Sequence, residues 1–266
     1  MKRILKFAFV PLMVALCLVL PMKAEAAEVA GGTCGENLTW EFDEETGTLA
    51  IKGTGAMYEY ADGYVDGKTT PPWADGDRDR IKRVVIEEGV TTISDAAFCG
   101  FEKIQSVSIA STVESIGGIA FEYCYSLEQI VLPDCITSIG VSAFLDCRQL
   151  SSVVVGSEIE TIGGFAFGGC SSLKTITFRG NAPSFGNNPN DVFCDVTATV
   201  YYPADNTTWT SAVMQDYGGT ITWVAYGEDS TEYPPELAWF FEKVNAPDNF
   251  LWATGLYHKI MEAYGG

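Results

Sequence analysis

Four phenylalanines stand 23 residues apart, at Phe98, Phe121, Phe144 and Phe167. Five further ladders keep the same register: Ala97, Ala120, Ala143 and Ala166; Ile93, Ile116, Ile139 and Ile162; Ile104, Leu127, Leu150 and Leu173; Val107, Ile130, Val153 and Ile176; Ile109, Leu132, Val155 and Phe178. Traces reach one period upstream at Ile81, Val84 and Ile86. Phenylalanine occurs only 15 times in 266 residues, so the register is set by a repeating unit rather than by chance. A period of this size specifies a solenoid, because one copy cannot bury its apolar side chains and stacked copies can. Each copy ends in alternating apolar residues, which read as a short strand. Stacking then places each ladder residue about 4.8 Å from its equivalent. The Phe ladder becomes an internal aromatic stack beside a row of Ala that leaves room for the rings. Gly117, Gly140 and Gly163 are expected to supply the turn that redirects the chain in each coil.

The chain begins with "MKRILK", an apolar run "FAFVPLMVALCLVLPM" and then "KAEAAEVA". A basic start, a short apolar segment and an A-x-A site at Ala24 and Ala26 are the layout of a secretory signal peptide, with cleavage after Ala26. The apolar run of about 16 residues falls short of the roughly 20 that a spanning helix needs. Cys17 lies within that run behind Leu16, where lipoprotein processing expects a small residue. The signal segment holds four of the 16 Lys+Arg and one of the 35 Asp+Glu. The remainder has 12 against 34, a net charge of about −22. Such a surface repels nucleic-acid phosphates and anionic headgroups, which excludes nucleic acid as a partner and disfavours insertion into a membrane after cleavage.

The pattern I-G-x-x-A-F-x-x-C-x-x-L-x-x-[IV]-x-[LVF] over residues 81–180 resembles the BspA-type leucine-rich repeat of bacterial secreted and surface proteins. The fold expected is a leucine-rich-repeat-like β-solenoid of about five 23-residue coils. "CGENLTWEFDEETGTLAIKGTGAM" at 34–57 is similar to the N-terminal cap of such proteins. "ATVYYPADNTTWTSAVMQDYGGTITWVAY" at 198–226 is similar to their C-terminal cap. Caps are needed because end coils expose apolar ladders and open strand edges. Alternation of Leu38, Trp40 and Phe42, then Leu49 and Ile51 across "DEETG", predicts a β-hairpin at the front. At the back a strand through Val200 and Tyr202, a short helix near Thr208–Gln215 and a strand through Ile221, Trp223 and Ala225 are expected, with Trp209 plugging the end. The expected division is a signal peptide at 1–26, a β cap and loop at 27–80, repeats at 81–180 and a cap at 181–226. The linker "GEDSTEYPP" at 227–235 then leads to a short helical tail at 236–266.

Candidate chemistry is sparse. Seven cysteines follow the signal segment: Cys34, Cys99, Cys124, Cys135, Cys147, Cys170 and Cys194. Three of them form a ladder at 124, 147 and 170, whose stacked Cβ vectors run parallel and fit a disulfide dihedral poorly. Buried free thiols are therefore expected, ahead of disulfides or a reactive role. No CxxC pair supports a zinc site. "DGDRD" alternates Asp75, Asp77 and Asp79 as a calcium loop does, but Arg80 and Ile86 stand where that loop needs Gly and Glu. Glu87 and Glu88 read as surface charge. The lone His258 lies on the tail, and no GxSxG or HExxH occurs. The tail aromatics Trp239, Phe240, Phe241, Trp252 and Tyr257 either pack within the chain or dock another protein. No catalytic residue, metal site or cofactor is assigned.

What remains is the outward row of the strands. Val85, Ser108, Val131, Val154 and Thr177 form one line, with Arg83, Ser106, Gln129, Ser152 and Thr175 beside it. The strip is expected to be flat and nearly uncharged on a very acidic protein. It is either a binding face, as solenoids use, or plain sheet surface that suits small and β-branched residues. The resemblance implies a secreted or cell-surface-associated binding module that makes adhesion-type contacts with an extracellular protein or glycoprotein, without catalysis. The competing readings are the targeting arm of an effector whose activity lies in the tail, and a truncated remnant of a longer surface protein.

Overall fold

The 23-residue period becomes a stack of coils in which every ladder runs along the stacking axis. A computed structural model describes residues 30–61, 70–74, 76, 78–186 and 191–227. Strands β1 (Ala30–Thr33), β2 (Gly35–Asp43) and β3 (Thr48–Met57) form the front. Each coil then contributes a longer strand and, in all but the last two, a short one on the opposite side. The longer strands are β4 (Arg83–Ile86), β6 (Ser106–Ile109), β8 (Gln129–Val131), β10 (Ser152–Val155), β12 (Thr175–Phe178), β14 (Thr197–Pro203) and β15 (Thr220–Tyr226). The short ones are β5 (Val90–Ile93), β7 (Ser115–Ile116), β9 (Ser138–Ile139), β11 (Thr161–Ile162) and β13 (Ser184–Phe185). Both sets run parallel, and β3 spans the two, pairing with β4 through Thr48–Ile51 and with β5 through Gly55 and Ala56. The result is a parallel β-solenoid of about six turns.

Its core is the ladders. Phe98, Phe121, Phe144 and Phe167 are fully buried and stack at centroid spacings of 5.1, 5.3 and 5.5 Å. Two aromatics outside the period extend the stack. Trp73 lies on Phe98 at 5.5 Å and donates its Nε1 proton to the Ala97 carbonyl at 2.9 Å. Phe193 continues beyond Phe167 at 6.0 Å. It comes 26 residues after Phe167 instead of 23, so the sixth coil carries extra chain and drops out of the periodic count.

The glycine ladder has a different duty from the one its spacing implies. A Cβ on Gly117, Gly140 or Gly163 would lie 2.4–2.5 Å from backbone nitrogen of the preceding coil. Glycine is needed there for close stacking of backbones, and the left-handed turns fall elsewhere. They sit on Ala96, Ile119, Ser142 and Phe165, again 23 residues apart, and on Gly100, Tyr123, Asp146 and Gly169. Non-glycine residues tolerate this strained region at a cost of about 1 kcal/mol or more each, which the surrounding stack must offset.

Both ends are closed. Leu38, Trp40, Phe42, Leu49 and Ile51 are buried on the β2–β3 hairpin, whose register is Trp40↔Ile51 and Phe42↔Leu49. At the back, Trp209 packs on Phe178, Tyr202 and Trp223 and donates its Nε1 proton to the Gly180 carbonyl at 3.0 Å. The strands flanking it are parallel, β14 to β15 from Thr197↔Thr220 to Pro203↔Tyr226. The segment near 208–215 is a run of turns in place of the expected helix. Its one helix-like bond is Met214 N–H to the Thr210 carbonyl at 2.9 Å, beside a shorter-range bond from Val213 to the same carbonyl. Asn206 Oδ1 accepts the Thr208 backbone N–H at 3.0 Å in a side-chain turn, which competes with helix initiation.

Candidate binding face

The outward rows named from the sequence do come together on one face. Arg83, Ser106, Gln129, Ser152 and Thr175 are in direct register across β4, β6, β8, β10 and β12. Val85 pairs with Ser108, and Val131 with Val154 and then Thr177. The face is not the uniform strip the sequence implies. Val131 is 54% exposed, whereas Val154 is 6% and Thr177 1% exposed. The first three coils present an open surface and the next two a closed one.

The open part also contains a break in the ladder. β4 and β6 share four paired residues, and β10 and β12 four, but β6 and β8 share only Ser106↔Gln129. Pro133 follows the unpaired stretch. At the same place in other coils, Ala110 N–H donates to the Ile86 carbonyl and Arg179 N–H to the Val155 carbonyl, each at 3.1 Å. Proline has no N–H, so the equivalent bond to the Ile109 carbonyl cannot form. The core is opened there. Val107 and Ile109 are only partly buried, while their equivalents Val84, Ile130, Val153 and Ile176, and Ile86, Leu132, Val155 and Phe178, are at most 2% exposed. Val107, Ser108, Ile109, Gln129, Val131 and Pro133 line the resulting notch of about 280 Å³.

This notch has the make-up of a contact point: apolar walls, one amide and one hydroxyl at the rim, and an exposed Val131 beside it. Arg83 is the exposed charge of the polar row. Further out on the same sheet Lys52 bridges Glu41 at 2.7 Å, so the front edge of the face carries paired charge. A second concavity, about 570 Å³, runs along the short-strand side between Thr92, Ser115, Ser138, Thr161 and the stacked glycines. Its floor is a stripe of small residues.

The other candidates from the sequence resolve into structural roles or fall outside the description. The seven cysteines among the described residues, Cys34, Cys99, Cys124, Cys135, Cys147, Cys170 and Cys194, are free. Cys124, Cys147 and Cys170 are buried, and each donates its thiol to the carbonyl of Phe98, Phe121 or Phe144 at 3.3, 3.2 and 3.1 Å. Burial pushes the thiols of Cys124 and Cys147 far up, and that of Cys34 up to about 12, which keeps them protonated and unreactive. Glu88 accepts hydrogen bonds from Ser111 N–H and Oγ, tying one coil to the next, and Glu87 lies 3.9 Å from Lys52. Asp75, Asp77, His258 and residues 236–264 lie outside the described residues, as does the segment 1–26. Among the described residues no three His, Cys, Asp or Glu side chains gather as metal ligands.

Comparison with known proteins gives a family match over the repeats and several solved repeat structures of low identity. Residues 77–195 match the family described as the BspA type leucine rich repeat region, in six copies. No curated protein sequence matches the chain. Among solved structures, the leucine rich repeat protein of T. pallidum is 20% identical over 73% of this chain and 99% of its own, with a TM-score of 0.43. The pneumococcal vaccine antigen PcpA is 20% identical over 65% of this chain and 50% of its own, at 0.44. A leucine rich cell surface protein of Faecalibacterium prausnitzii is 15% identical over 74% of this chain and 73% of its own, at 0.27.

Proposed function

Residues 77–195 are a BspA-type leucine-rich repeat region, and from that premise we propose that the protein is a secreted or cell-surface-associated, non-catalytic binding module. Its partner is an extracellular protein or glycoprotein, held by adhesion-type contacts on the open part of the long-strand sheet. The observation that carries this reading is the notch at Pro133, where the core is exposed beside a Val131 side chain that is 54% accessible. A solenoid gains nothing in stability from leaving Val107 and Ile109 half covered. A partner side chain inserted there recovers the lost burial, at about 25 cal/mol per Å² of apolar area. Arg83, Ser106 and Gln129 supply hydrogen bonds along the adjoining row, as an interface rim requires. The signal-like start of the chain and the strongly acidic surface agree with an exported protein that avoids nucleic acid.

The test is surface plasmon resonance of the purified chain against a panel of matrix proteins and cell-surface glycoproteins at physiological salt. A saturable signal that Val131→Lys reduces at least tenfold supports the reading. A signal indifferent to Val131→Lys and to Gln129→Ala, or silence across the panel, contradicts it.

A further inference from the structure

We propose that Tyr123, Tyr125 and Arg148, on the turns that lead into β8 and β10, form a sugar-binding platform that takes one neutral pyranose ring of an extracellular glycan. The platform shares no residue with the notch. Its first sign is a breach of the repeat's own rule. Gly100, Tyr123, Asp146 and Gly169 occupy one left-handed position in successive coils, at φ of 72°, 60°, 58° and 66°. Glycine suits that region and a bulky aromatic does not. Yet Tyr123 stands there with 37% of its surface exposed, so core burial does not offset the strain. Strain held without a packing gain is the mark of a functional position.

Tyr125 is its companion. The two ring centroids lie 5.9 Å apart with the planes inclined at 53°, an open angle rather than a stack. The backbone fixes both: Tyr125 N–H donates to the Tyr123 carbonyl at 2.8 Å, and Tyr123 N–H to the Leu145 carbonyl at 2.9 Å. From the next coil Arg148 lays its guanidinium 4.8 Å from the centre of the Tyr125 ring and donates its Nε proton to Asp146 Oδ1 at 3.1 Å. Gly169 leaves room for that carboxylate, since a Cβ there would lie 2.8 Å from Asp146 Oδ1. On the other flank the Cys99 thiol donates to Glu122 Oε2 at 3.8 Å.

These groups match the two-sided chemistry of a pyranose, which has a face of axial C–H bonds and a rim of hydroxyls. The negative face of a tyrosine ring attracts the C–H groups. The phenols, the Asp146 carboxylate and the remaining Arg148 N–H groups supply donors and acceptors for the rim. The surroundings also set the ligand's charge. Arg148 is paired with Asp146, and the Glu122 carboxylate, then burial and Asp146, raise the Tyr123 phenol above its ordinary pKa. The local potential is negative, so acidic sugars are repelled. A protein partner fits less well. A stable interface takes about 800 Å² per side around an apolar centre depleted of charge, whereas Glu122, Asp146 and Arg148 crowd these two rings.

The experiment is saturation-transfer NMR of the purified chain with lactose and cellobiose as probes, with affinities taken from titration. Saturation is expected on the C–H protons of one ring face. Tyr125→Ala and Tyr123→Gly should each weaken binding about tenfold or more, while Val141→Lys leaves it within about twofold. Tyr123→Gly also separates function from structure. Glycine is the occupant of this position in two other coils, so the midpoint of denaturant unfolding should hold or rise while binding falls. Three results overturn the proposal: no saturation of either sugar, saturation that survives both tyrosine changes, or an unfolding midpoint lowered by Tyr123→Gly. Binding of a hexalysine peptide in place of the sugars, lost with the same changes, also overturns it and assigns the patch to a basic protein segment. Val131 plays no part in the assay, so its outcome is separate from that of the binding test on the notch.

Discussion

The coils at β6–β8 and at β10–β12 are built from the same repeat and differ in what they leave accessible. At β10–β12 the ladder is complete, with four residues in register, and both faces of the sheet are buried. At β6–β8 one paired position remains, two core residues show through, and Val131 stands in solvent. The inner ladders are equally apolar in both places. Pro133 lacks the donor that Arg179 uses at the equivalent place in the β12 coil. In a solenoid each coil contacts only its neighbours, so such a local change opens a site without disturbing the rest of the stack.

The largest effect should come from the part the two regions share. Phe144→Ala removes a ring from the middle of the aromatic stack, between Phe121 and Phe167. It is expected to cost about 3–5 kcal/mol, read as a lowered midpoint in denaturant unfolding. A loss below about 1 kcal/mol would mean that the stack is not the core.

The next test sets the regions against each other. Val154→Lys places an ammonium where 6% of the side chain is exposed, and should cost on the order of 3 kcal/mol. Val131→Lys, at 54% exposed, should change stability by less than about 0.5 kcal/mol. Equal costs would erase the distinction between an open and a closed half.

The thiols give a smaller and pH-dependent effect. Cys34, Cys124 and Cys147 are raised above the ordinary thiol range by burial in the folded state. Their contribution to stability is therefore complete below the unfolded pKa of about 8.5 and is lost as pH climbs toward the folded values. Thermal stability is expected to be flat in this respect up to about pH 8 and to fall above pH 9. If Cys124 alkylates readily at pH 8 in the folded protein, the notch admits water to the core and the opening is wider than described.

Smallest in stability is Pro133→Ala. It restores an N–H able to bond the Ile109 carbonyl, worth about 1 kcal/mol, and loses a similar amount through the freer unfolded chain. Net stability should shift by no more than about 0.5 kcal/mol. Hydrogen exchange should find a protected amide at position 133, and binding through the notch should weaken. An unprotected amide there would show that proline is not what holds the coils apart.

Much of this was legible in the sequence because solenoid cores are periodic. Phe, Ala, Ile and Leu recur at equivalent positions, and equivalence in sequence becomes adjacency in space. Terms that break the period were harder to see. Trp73 and Phe193 continue the aromatic stack from off-register positions, and only the folded structure places them there. The glycine ladder was visible, but its purpose was not. Spacing cannot separate a turn from a close backbone approach, and the turns fall on residues such as Ile119 and Phe165 that no composition rule would choose. The outward rows lie in register on one face, while their division into open and closed halves was missed. Pro133 was the available signal, a proline where Ala110 and Arg179 stand in other coils. The burial of Val154 and Thr177 had none, since alternation along the strands marks both as outward positions.

The most direct measurement is binding of the purified chain to the partner found in the panel, comparing Val131→Lys with Val141→Lys. Both residues are more than half exposed, at 54% and 58%, and Val141 borders the trough on the short-strand side. The account predicts that Val131→Lys weakens binding at least tenfold and that Val141→Lys leaves it within about twofold. The reverse pattern would place the interaction on the opposite side of the solenoid and contradict the assignment of the notch.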